Sequence, residues 1–219
     1  QGPVVQLFSF VITTVLDPLF SFFRKNGMQI GIMILAFIFL FKIGEAFMGK
    51  MSIVFYKEVG FSKSDIALYS KGLGWITTVT FTLIGGFFAL RAGVVRALLI
   101  SGIAMAGTNI LFSVLAWVGP NELLFAFAVV ADDLAAAFAT VAFVTFISLL
   151  VDRNYTATQY ALLASIGTLG RTLLASSSGA LVDGLDGDWG LFFILTAIMV
   201  IPSLLLLWKL RHKLQNWAK

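Results

Sequence analysis

Cysteine is absent from the sequence, which excludes disulfide frameworks and thiolate-metal sites. There is a single histidine, His212, in a basic tail, and no metal-ligand spacing or glycine-rich phosphate loop occurs. Serines 176–178 have no histidine partner in the surrounding apolar run, so no nucleophilic triad can be assembled. These absences argue against an enzyme and against a bound cofactor or metal. Charge is scarce too. Only 12% of the residues are charged, about half the roughly 25% of soluble domains.

What is abundant is apolar. Hydrophobic residues make up 59% of the sequence, with 22 phenylalanines, and the mean hydropathy is +0.98. At 219 residues the chain has room for roughly six spans of about 20 residues each with short loops. Uncharged runs and their punctuation place these at 28–56, 65–90, 94–117, 122–151, 156–182 and 189–209. Lipid offers the backbone no hydrogen-bond partner, so such runs must be helical. The fold class expected is an all-α integral membrane protein, a six-transmembrane-helix bundle over 27–212. A linker or interfacial helix precedes it at 1–26, and a basic tail follows at 213–219. Asp17-Pro18 in the middle of the first segment favours a helix lying on the membrane surface over a seventh span. The opening "QGPVVQLFSF" has neither an initiator Met nor a basic region, so it does not read as a signal peptide. It reads as a continuation of a longer chain.

The net charge is +4, but its placement argues against nucleic acid. Arg24, Lys25, Arg91, Arg96, Arg153, Lys209, Arg211, Lys213 and Lys219 gather at alternate ends of the runs, on one side of the membrane. The other side collects Lys57 and Lys63 together with Asp183, Asp186 and Asp188. Basic residues near span ends mark the cytoplasmic side, so both ends of the segment are expected in the cytoplasm.

The stretch "FKIGEAFMGK" places Lys42, Glu45 and Lys50 inside the first run. Lys71, the pair Asp132 and Asp133, and Arg171 are embedded in others. At about 1.5 Å per residue they converge on one layer near the midplane. Each charge costs about 2.5–3.5 kcal/mol near a helix centre, so they must face one another or a water-filled cavity. Lys42 and Glu45 are three residues apart and can pair on one helical face. Lys42, Lys50, Lys71 and Arg171 outnumber Glu45, Asp132 and Asp133, which suits an anionic or zwitterionic solute. Adjacent residues lie about 100° apart on a helix, so only one of Asp132 and Asp133 need face the cavity. The alternative is that the charges merely hold helices together.

The loop "GGFFALRAGVVR" resembles the cytoplasmic loop motif of the major facilitator superfamily. Gly86, Arg91, Gly93 and Arg96 are in register, and Leu90 replaces the acidic residue. "FKIGEAF", "SKGLGW", "VRALLISG", "TATQYALLAS" and "GTLGR" together resemble the C-terminal half of the AmpG muropeptide permease family, over nearly the whole chain from about residue 16. The resemblance implies the C-terminal half of a twelve-helix major facilitator fold, completed by an N-terminal six-helix half. It implies a bacterial inner-membrane permease that imports anhydro-muropeptides (GlcNAc-anhydroMurNAc-peptides) for peptidoglycan recycling, driven by the proton gradient. Carried onto this sequence, it marks Lys42, Glu45, Lys71, Asp132, Asp133, Gln159 and Arg171 as the solute or proton pathway. Asp133 stands where the family pattern has an amide. Gly86, Arg91, Gly93 and Arg96 would form a cytoplasmic gating loop. The partners implied are an anionic glycopeptide and lipid. Two alternatives remain at this point: a carrier for another anionic solute, acetyl-CoA-like or a sugar-peptide, and a non-transporting six-span subunit.

Overall fold

Every apolar run becomes helix, because a helix satisfies its backbone internally where no water is available. The computed structural model describes Gln6, Ser9, Phe10 and residues 12–217. Of the expected linker, residues 1–5, 7, 8 and 11 lie outside the described residues, as do 218 and 219 of the expected tail. No strand occurs among the described residues.

A wide helical stretch, Ile12–Leu16, runs into α1 (Asp17–Asn26). Pro18 falls in the first turn of α1, where a missing N–H costs no hydrogen bond. Arg24 and Lys25 close its last turn, favourably placed against the helix dipole. Phe22 is buried while Phe20 is exposed, so α1 lies against the bundle by one face only.

The run read as one span at 28–56 is two helices, α2 (Met28–Leu40) and α3 (Ile43–Val59). Between them Lys42 leaves the helical region, at φ −94° and ψ 17°. Next comes a short turn, Lys63–Asp65, held by a reciprocal cap between Ser62 and Asp65. A wide π-type stretch, Ile66–Leu73, then leads into α4 (Gly74–Ala92). Gly93, at φ +83°, turns the chain into α5 (Val94–Val118); that backbone conformation is one side chains other than glycine rarely adopt. α6 (Glu122–Leu150) starts at Asn121, whose Oδ1 accepts from the Leu124 N–H at 2.9 Å. α7 (Thr156–Ser176) and the short α8 (Ser178–Gly184) follow, and α9 (Trp189–Trp217) completes the bundle.

Among the described residues, five helical stretches are long and apolar enough to cross a membrane: Met28–Val59, Lys63–Ala92, Val94–Val118, Glu122–Leu150 and Trp189–Leu214. The run at 156–182 is helical but interrupted at Ser177. It is not apolar enough to join those five. The architecture is that of an all-α, multi-pass membrane protein.

α5 packs on α9 and α6, α6 on α4, and α2 on α7 and α9. Apolar burial drives nothing within lipid, so close packing must hold these helices. Aromatic rings fill two cores. Near α1, Phe41 stacks on Phe143 at 5.6 Å and Phe37 meets Phe146 edge-on at 5.3 Å. At the far end Phe55 meets Phe193 edge-on at 4.8 Å. Where backbones touch, only glycine fits. At Gly170 of α7 an added Cβ would collide with the Phe39 carbonyl oxygen of α2. This packing leaves α4 and α7 as the two flanks of an open cleft backed by α3 and α6.

Candidate functional site

The cleft has a volume of about 350 Å³. Glu45 of α3, Asp132 and Asp133 of α6, and Arg171 of α7 all line it. Three helices therefore bring charges to one place. The break at Lys42 explains part of this. The lysine Nζ turns back to lie 2.9 Å from Glu45 Oε2 and donates to Thr140 Oγ1 of α6 at 2.6 Å. Arg171 Nη2 lies 3.9 Å from the other Glu45 oxygen. Glu45 is thus shared between two cations, one screened behind the wall and one half-exposed at the rim.

Both aspartates reach the cleft, held from different sides. Asp132 Oδ1 accepts from Thr108 Oγ1 of α5 at 3.0 Å. Asp133 Oδ2 accepts a short hydrogen bond from Thr77 Oγ1 of α4. The bound carboxylates are thereby oriented, because an oxygen that accepts a hydrogen bond has its rotamer fixed. Sequence reasoning required only one of the pair to face inward; the geometry supplies both.

Other candidates stand elsewhere. Lys71 is exposed on the wide stretch before α4 and has no ion pair among the described residues. Gln159 is 3% exposed and sits at the opposite end of α7 from Arg171. Its amide donates to the Pro18 carbonyl at 2.8 Å and its oxygen accepts from the Asp152 N–H at 2.5 Å. It fastens α1 to the loop before α7 and touches no part of the cleft. Gly86, Arg91, Gly93 and Arg96 lie at the turn from α4 to α5, where the Arg91 guanidinium covers the Phe87 ring at 4.8 Å.

Several cleft residues escaped the sequence reading: Tyr56, Ser52, Ser70, Thr78, Thr82 and Thr140. Each is uncharged and unremarkable in an apolar run. The signal that was present is the repeat of hydroxyls four apart, Thr78 and Thr82, on one helical face.

No family model matches the chain. Curated relatives do. The chain is 34% identical over 202 residues to a Rickettsia conorii protein named as transporter AmpG 4, covering 92% of this chain and 48% of that one. It is 30% identical over 202 residues to the anhydromuropeptide permease of Escherichia coli K12, covering 92% and 40%. The chain belongs to the AmpG permease family. A third AmpG relative, from Rickettsia bellii, is 30% identical over 205 residues, covering 91% and 50%. The chain spans about half the length of the relatives it matches. What it matches is one half, the C-terminal one, of the AmpG permeases.

Proposed function

We propose that this half builds one wall of the solute path in a permease that carries anhydro-muropeptides inward across a bacterial inner membrane, coupled to protons. The reading rests chiefly on the match along 92% of the chain to a relative named anhydromuropeptide permease. Transporters of two related halves hold the solute between them. The charged cleft is open on the side away from α3 and α6, as a wall completed by another half would be. Its volume, about 350 Å³, is at the small end of the 300–1,000 Å³ of ligand sites, so a disaccharide-peptide needs the facing half to enclose it. Arg171 and the hydroxyls meet the anionic and sugar-like parts of such a solute. Asp132, Asp133 and Glu45 are carboxyls able to exchange a proton within the path. Both ends of the chain face the cytoplasm in this reading, which puts the Arg91 and Arg96 turn on the cytoplasmic side.

The test is uptake of labelled GlcNAc-anhydroMurNAc-peptide by cells lacking their own muropeptide permease and expressing the full-length protein. Uptake abolished by a protonophore is the expected result. No uptake by correctly inserted protein rejects the solute, and protonophore-insensitive uptake rejects the coupling.

A further inference from the structure

A second cavity, of about 370 Å³, adjoins the first on the other side of Arg171. Lys50 and Arg171 line it, together with the hydroxyls of Thr168, Thr172 and Ser176. Gly49 and Arg171 belong to both cavities. The charges divide sharply between them. Three carboxyls and one cation line the first, whereas two cations and no carboxyl line the second. Lys50 has no ion pair among the described residues, yet it stands midway along α3, where an uncompensated cation is costly.

We propose that the Lys50–Arg171 cavity is a carboxylate-binding subsite. An anionic group in the first cavity would meet Glu45, Asp132 and Asp133, and like charges at close range repel. In the second it would meet an ammonium, a guanidinium capable of paired hydrogen bonds, and the Thr172 hydroxyl; the hydroxyls of Thr168 and Ser176 already donate to the Ala164 and Leu173 carbonyls. A solute with a carboxylate at one end and a hydroxyl-rich or ammonium-bearing body at the other is therefore oriented by the cleft. Its carboxylate goes between α3 and α7, its body against α6. Gly49 is what keeps the two cavities continuous. A Cβ added there would meet only Arg171 Nη2, at 3.8 Å, so a methyl fits but a longer side chain would push Arg171 out of the passage.

The subsite rests on the muropeptide reading for the name of the solute but is tested without it. Full-length protein in lipid nanodiscs is titrated with the dipeptide L-alanyl-γ-D-glutamate as the free diacid and, separately, as its diamide, and thermal stabilisation is followed. The diacid is expected to stabilise the wild type at concentrations about ten-fold lower than the diamide, as charge-assisted pairing requires. Lys50→Gln is expected to erase that difference and Lys50→Arg to keep it. Gly49→Leu is expected to erase it while Gly49→Ala does not. Equal effects of diacid and diamide on the wild type, or an unchanged preference in Lys50→Gln, overturns the subsite. Failure of muropeptide uptake with the diacid preference intact overturns only the identity of the solute.

Discussion

Gln159 and Pro18 are 141 positions apart in sequence, and the side-chain amide of one donates to the carbonyl of the other at 2.8 Å. The bond is buried, and it crosses from α7, which carries Arg171, to α1, which lies outside the cleft. The same side chain accepts from Asp152. One amide therefore supplies the Asp152 N–H with its partner and ties that loop to the first turn of α1.

Gln159→Leu leaves the Asp152 N–H without its partner and cuts the tie to the Pro18 carbonyl. Stranding buried polar groups costs about 1–3 kcal/mol each. A clear drop in thermal midpoint of the purified full-length protein is expected, with α1 becoming protease-sensitive. A midpoint equal to wild type means water takes over both bonds.

Asp152 adds a pH-dependent part to the same contact. Its carboxyl is held below the usual range, first by the Asn154 backbone N–H and then by Ser21 of α1, with Lys25 and Arg24 nearby. A depressed carboxyl contributes stability above its unfolded value, about 3.9, and loses it as pH falls through the folded value. A spin label replacing exposed Phe20 is expected to report immobile α1 at neutral pH and looser α1 in acid. In Asp152→Asn the mobility should be raised already at neutral pH. A wild-type signal flat down to acid excludes Asp152 as an anchor.

Lys42 and Glu45 should behave as a pair. Their side chains are 15% and 20% exposed and 2.9 Å apart, so removing one strands the other in a poorly solvated place. Lys42→Met and Glu45→Gln are each expected to destabilise, and the double variant less than their sum. A coupling of at least about 1 kcal/mol in that cycle is expected for contacting residues. Additive losses would show that Thr140 and Arg171, not each other, hold the two charges.

Gly170→Ala inserts a methyl group against the Phe39 carbonyl, which is backbone and cannot swing away. Overpacking of this kind costs about 1–3 kcal/mol. Lower thermal stability is expected, whereas Gly107→Ala, with open space beside it, should match wild type. Equal stabilities would mean α2 and α7 slide apart freely.

The sequence carried the fold class because lipid permits so few solutions: long apolar runs must be helices. Lys42, Glu45 and Arg171 could also be found together in advance, since unpaired charges in lipid are too costly to leave apart. What stayed hidden is local. The break at Phe41–Lys42 has no proline or paired glycine to announce it, and the run reads as continuous. Gln159 was placed in the solute path by the family resemblance alone, through the "TATQYALLAS" stretch. About three helical turns separate it from Arg171, and only the fold reveals that α1 occupies the space beside it. Lys71 had the right depth, yet depth along a helix says nothing of the direction in which the side chain leaves it.

The joint between α2 and α3 has a mechanical meaning. Two stiff rods meet at one residue, and that residue's ammonium is tethered to a carboxylate on one rod and a hydroxyl on a third helix. The break falls at a charged residue, with neither proline nor paired glycine beside it. Loss of the Glu45 contact would leave Lys42 held by Thr140 alone. The break in the first pass and the charges of the cleft thus share one side chain, that of Lys42.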